Sequence, residues 1–170
     1  ENQNANDPCI LIDGVCDEAG NLYVASTHGV LFVSKKTGEL TKLDFLPKTC
    51  CMSVHFDKQG LLWCDGTEGI LRVNLKNQTF RKIPLSEDKY GKLSFQPRAI
   101  YETSKGNMFF GCSNGFIMMN TYGDGSSGLI KFLSWAKAAE RKSDGKWSSL
   151  CIKKNRLCLD GDNEETHISF

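Results

Sequence analysis

The chain contains no run of 18 apolar residues, so no membrane span is expected within it. Its 21 Lys and Arg nearly balance 20 Asp and Glu, leaving a net charge of +1. There is therefore no basic field of the kind that favours nucleic acid, and no long acidic tail. The three histidines, His28, His55 and His167, show no ligand spacing, and the adjacent Cys50 and Cys51 are not a CxxC pair, so no metal and no cofactor is expected. GxSxG, HExxH and Walker sequences are all missing. The chain begins at Glu1 without a Met or a basic, apolar leader, and stops at Phe170 in what reads as a strand. Both ends read as cut, which points to a piece of something longer.

What is present is a repeat. The stretch 51–83 reads as four short strands parted by turns: Met52 to Phe56, Leu61 to Cys64, Ile70 to Asn74 and Thr79 to Ile83. Asp57-Lys58-Gln59-Gly60 is the first turn, with an Asp able to bond its own backbone and a Gly free to turn left-handed. DEAGNLYVASTHGVLFVS (17–34) and TSKGNMFFGCSNGFIMMN (103–120) align without gaps on DKQGLLWCDGTEGILRVN (57–74). The first Gly recurs as Gly20, Gly60 and Gly106, and the second as Gly29, Gly69 and Gly115, at periods of 40 and 46 residues. Three positions after each first Gly stands an aromatic: Tyr23, Trp63, Phe109. Four antiparallel strands at this period describe blades of a β-propeller. The predicted fold is all-β, with about three four-stranded blades in an incomplete ring and a small β-containing tail.

In chain order, residues 1–8 read as a polar lead or linker, 9–45 as the first blade, and 46–96 as the second, with an insertion at 86–95. Residues 97–122 form a partial third blade. TYGDGSSG (121–128) reads as a flexible junction, so 123–170 becomes a separate C-terminal β segment. Within it, LIKFLSWAKAAERK (129–142) favours a short helix by its alanines and glutamate, although Ile130 and Phe132 also alternate as in a strand.

The eight cysteines recur at no repeat position. Free buried thiols, one or two disulfides, and a metal site all stay open, in that order of preference. Asp17 and Asp57 precede turn glycines and read as structural. Trp63 invites a sugar-stacking role, but the repeat position it fills favours packing between blades; Trp135 and Trp147 lie outside the repeat and are candidate platforms or core. His28, Glu68 and Asn114 share a loop position where the repeats differ, which makes them better ligand candidates than the repeated residues. Tyr90 and Lys92 join them from the insertion, which would lie on one rim or serve as an ornamental loop.

The unit strand, D-x-x-G, x-Leu-Trp/Tyr, x-x-Gly-Thr-x-x-Gly, strand, Asn/Asp resembles the two-component regulator propeller repeat. The best copy spans 56–74, with Asp57, Gly60, Trp63, Gly66, Thr67, Gly69 and Asn74 on the motif. The first copy departs at Ser26 and Ser34, the third at Thr103, Cys112 and Ser113. The resemblance covers about residues 10–122. It implies a periplasmic or extracellular sensor piece of a hybrid two-component system from gut anaerobic bacteria, responding to an oligosaccharide or its breakdown products. The family's kinase chemistry would lie elsewhere, since this chain has no H-box, no nucleotide-binding glycines and no phosphoacceptor pattern.

Three blades leave sheet edges unpaired. The expected partners are therefore the remaining blades of a parent ectodomain, or further copies of this chain closing a ring. A stand-alone carbohydrate- or protein-binding propeller is thus an alternative to the sensor piece. A propeller enzyme would need polar residues converging with perturbed pKa values, and no repeated His, Glu or Tyr on the motif strands suggests one.

Overall fold

A computed structural model describes residues 8–83, 85, 93–113 and 115–120, together with the backbone of 130–134, 138–141, 147–150, 152–153 and 156–157. Every element among them is a strand. The first sheet is β1 (Leu11–Cys16), β2 (Leu22–Ser26), β3 (Gly29–Val33) and β4 (Leu40–Lys42), neighbours in that order. The second repeats it with β5 (Cys51–Phe56), β6 (Leu62–Gly66), β7 (Gly69–Asn74) and β8 (Thr79–Lys82). All pairings are antiparallel, and both first strands carry an irregularity at the same place, between Leu11 and Asp13 and between Cys51 and Ser53.

The aligned turn glycines explain this regularity. Gly20, Gly60 and Gly106 have φ of 84°, 75° and 77°, a region open to glycine at little cost. In each turn the residue three before that Gly does the same work. Asp17 Oδ1, Asp57 Oδ1 and Thr103 Oγ1 accept the backbone N–H of Asn21, Leu61 and Asn107 at 2.8, 2.9 and 3.0 Å. Thr103, a departure from the motif by residue type, therefore keeps its hydrogen bond.

The chain divides into two compact units, Glu1–Tyr101 and Glu102–Phe170. In the first, alternate residues of both sheets form one core that includes Tyr23, Ala25, Val54, Leu62, Cys64 and Val73. Tyr23 stacks tilted on Phe32 of its own sheet and edge-on against Phe56 of the next, both at 5.2 Å between ring centres. Such offset aromatic pairs add to plain area burial.

In the second unit β10 (Asn107–Cys112) and β11 (Gly115–Asn120) repeat the central hairpin. Met108, Phe110, Ile117, Met118 and Met119 are buried. The sheet has the order β9-β10-β11-β12-β13-β14, where β9 (Phe95–Glu102) opens the unit with its last residue, Glu102. It runs past residue 122 through β12 (Ile130–Ser134), β13 (Ala138–Arg141) and β14 (Trp147–Leu150). The short helix expected at 129–142 is thereby corrected: both described parts of that stretch are strands. Residues Ile130–Ser134 pair with Gly115–Met119, so an open ladder of backbone groups outweighs a helix propensity worth only tenths of a kcal/mol per residue. β15 (Ile152–Lys153) and β16 (Arg156–Leu157) make a separate two-stranded ladder. The expected strand at 166–170 lies outside the described residues.

Candidate functional site

Two of the candidate residues, His28 and Glu68, sit on two-residue hairpin turns. Gly29 and Gly69 close them with φ of 100° and 89°, which leaves Thr27-His28 and Thr67-Glu68 at the tips. Each tip is tied down alike: Thr27 N–H donates to Ile10 O and Thr67 N–H to Cys50 O, both at 3.0 Å. The first turn has Ser26 where the motif has Gly. Its buried hydroxyl donates to Gly29 O at 2.8 Å and accepts from His28 N–H at 3.1 Å, so the departure stiffens the turn.

Beside the second turn lies a cleft of about 770 Å³, within the range of small-ligand sites. Met52, Ile83, Leu85 and Phe95 give it apolar walls, and Thr67, Glu68, Lys82 and Ser94 give it polar edges. Glu68 and Lys82 pair there at 3.3 Å, both half-exposed. A smaller cavity of about 20 Å³ lies between the first two sheets, bordered by Val30, Cys51, Cys64, Asp65 and Glu68 among others.

Of the expected ligand residues, Glu68 therefore lines the cleft. His28 does not; its Nδ1 lies 3.0 Å from Thr27 Oγ1, on the other turn. Asn114, Tyr90 and Lys92 lie outside the described residues. Trp63 is only 2% exposed, with Nε1 donating to Asp57 Oδ2 at 2.7 Å and the Arg72 guanidinium 5.4 Å over its ring, so its face is not available for a sugar. Tyr23 stands in the same relation to Asp17: burial pushes its phenol up, and the Asp17 carboxylate, to which it hydrogen-bonds, adds to that. Burial also pushes Asp17 upward, but hydrogen bonds from Asn21, Ala19 and Gly20 together bring it below 3.8. Where the third repeat has Phe109, without a donor, it also has Thr103 in place of the carboxylate.

The first strands of the sheets are laced by side chains. Asp13 Oδ2 accepts from Val54 N–H at 3.1 Å, Ser53 Oγ accepts from Ala99 N–H at 3.3 Å, and Arg98 Nε donates to Ile12 O at 3.2 Å. Asp13 and Ser53 share a repeat position, which signals the lacing only once the sheets are paired. No group of three or more metal-ligating residues occurs among the described residues, and Cys9, Cys16, Cys50, Cys51, Cys64 and Cys112 are free thiols.

No protein-family model matches the chain, and no curated protein does. Among solved structures, it is similar to the extracellular domain of a hybrid two-component system from B. thetaiotaomicron, with TM-score 0.62 and 17% identity over 100% of this chain. A second such extracellular domain from the same organism matches 88% of the chain at TM-score 0.55 and 15% identity. The chain is built of β-propeller blades. Virginiamycin B lyase from Staphylococcus aureus shares the architecture more loosely, with TM-score 0.51 and 13% identity over 88% of this chain and 58% of that one. The chain spans 23% of the length of either extracellular domain.

Proposed function

We propose that these blades are a ligand-sensing segment of a periplasmic or extracellular sensor of the hybrid two-component type, responding to an oligosaccharide or its breakdown products. The cleft beside Thr67 and Glu68 carries this reading. Its apolar walls suit the C–H faces of a sugar, and the Glu68 and Lys82 edge suits hydroxyls, with Glu68 accepting and Lys82 donating. The likeness in fold to extracellular domains of hybrid two-component systems supports the location and the signalling role. In this reading the segment binds without turnover, and kinase chemistry lies in other parts of a parent chain.

Isothermal titration of the purified chain against a panel of neutral and acidic oligosaccharides tests it. Saturable binding that weakens in Glu68→Ala and leaves the sugar intact is the expected result. Product formation, or binding indifferent to Glu68 and Lys82, would overturn the assignment.

A second reading is a stand-alone module closed by self-association. Ile10 and Leu11 are 57% and 59% exposed, whereas Cys51, the repeat counterpart of Leu11, is 6% exposed against the preceding sheet. Light scattering on the eluted chain separates the two: a discrete oligomer that survives dilution favours the module, and a monomer the segment.

A further inference from the structure

Asp65 stands on β6 with only 2% of its surface exposed, and neither carboxyl oxygen has a hydrogen-bond partner among the described residues. The other repeats place Ala25 and Gly111 at this position, so the acid belongs to the second blade alone. A cation does not account for it, because the small cavity that Asp65 borders is walled mainly by apolar atoms and thiols. A neutral carboxyl does. Its register partner is Ser53, whose hydroxyl is engaged elsewhere, donating to Gln96 O at 3.1 Å while accepting from Ala99 N–H. Ser53 thus holds β9 against β5 through two bonds made by one rotatable hydroxyl.

We propose that Asp65 and Ser53 form a proton-dependent latch between β5 and β9. With Asp65 neutral, the Ser53 O–H points to Gln96 O. When Asp65 loses its proton to solvent, the new carboxylate draws the Ser53 O–H to itself, because a charged acceptor makes a stronger bond than a carbonyl. Gln96 O then loses its donor, and β9 is held at this point by the Ala99 N–H alone. The titratable groups around the latch are few. β1 presents Asp13, whose charge disfavours a second carboxylate; β5 presents Cys51 and, two residues beyond Ser53 and opposite Trp63, His55. Cys64 is the neighbour on β6, Glu68 borders the same small cavity, and β7 sets the apolar Ile70 opposite. On β9, Gln96 and Ala99 are uncharged, and the cation between them, Arg98, donates its Nε–H to Ile12 O, beside Asp13. Burial pushes the Asp65 carboxyl up to about 8, the polar groups of Ser53 offset part of that, and Asp13 adds to it. The latch therefore opens on the alkaline side of neutrality, whatever the cleft binds.

The test is an NMR titration of the wild-type chain from about pH 6 to about pH 9. The expected result is one shared midpoint near 8 for the Asp65 carboxyl carbon and the Ala99 amide, with the Ala99 shift abolished in Asp65→Asn. Should Asp65→Asn fail to fold, Asp65→Ala, which installs the residue of the first blade, gives the same readout. An Asp65 carboxyl titrating in the ordinary range, or an Ala99 amide that still titrates in either variant, would overturn the proposal.

Discussion

Trp63 donates its indole N–H to Asp57 at 2.7 Å, six residues back across the turn that Asp57 itself closes. One carboxylate thus serves two ends: Oδ1 takes the backbone N–H groups of Gln59 and Leu61, each at 2.9 Å, and Oδ2 takes the core tryptophan. The turn and the core of the blade are a single hydrogen-bonded object. Trp63→Phe, which strands Oδ2 in a buried site, is expected to destabilise the first unit by about 1–3 kcal/mol. In a double-mutant cycle with Asp57→Asn the two losses should not add. Additive losses in urea melts would mean that the indole bond contributes nothing of its own.

The glycines divide by what surrounds them. A Cβ on Gly60 meets nothing within 4 Å, so Gly60→Ala carries only the left-handed backbone penalty, about 1 kcal/mol. A Cβ on Gly66 would run into the Cys50 carbonyl oxygen and come within 2.9 Å of Cys51 Cα. Because both are backbone, neither can swing away, and Gly66→Ala is expected to cost about 3 kcal/mol. Thermal melts of the two variants should differ by several degrees in that order.

Asp65 sets a slope of stability between acid pH and about pH 8. Its folded-state pKa is raised from 3.8 to about 8, so the unfolded chain releases this proton first. Its contribution to stability is full below 3.8, falls as pH rises toward 8, and is flat above. Asp65→Asn should therefore gain up to about 4 kcal/mol over wild type near neutrality and nothing in acid. A gain that is the same at every pH would show the effect to be packing rather than charge.

Glu68 and Lys82 should behave in the opposite way. Their ion pair is half-exposed, so Glu68→Ala and Lys82→Ala are expected to change stability by no more than about 0.5 kcal/mol. Loss of oligosaccharide binding without loss of melting temperature would place them at the ligand. A drop in both together would mark them as structural.

The gap-free register of Gly20, Gly60 and Gly106 made the blades readable, because a left-handed turn residue and an aromatic three positions later depend on the local chain alone. The candidate site was less readable. Glu68 could be singled out because the repeats differ there, but Lys82, Met52 and Phe95 meet it from three different strands, and no spacing in the chain announces them. The stretch 129–142 misled for a related reason. Its alanines favour a helix locally, and only the open edge of β11 makes Ile130–Ser134 a strand.

The sequence by itself therefore determined the unit: four strands, two glycine-closed turns, and an acid or hydroxyl that caps the first turn, all short-range matters of φ and of hydrogen bonds within a few residues. Tertiary structure alone decided which polar groups ended up buried and with whom. Asp13, Ser53 and Ala99 fill one repeat position, yet the first holds Val54, the second links Gln96 and Ala99, and the Asp65 oxygens opposite Ser53 have no hydrogen-bond partner within bonding distance among the described residues. That outcome depends on which strand arrives from the neighbouring blade, and the free energy of a buried carboxyl is set by those arriving groups rather than by its place in the chain.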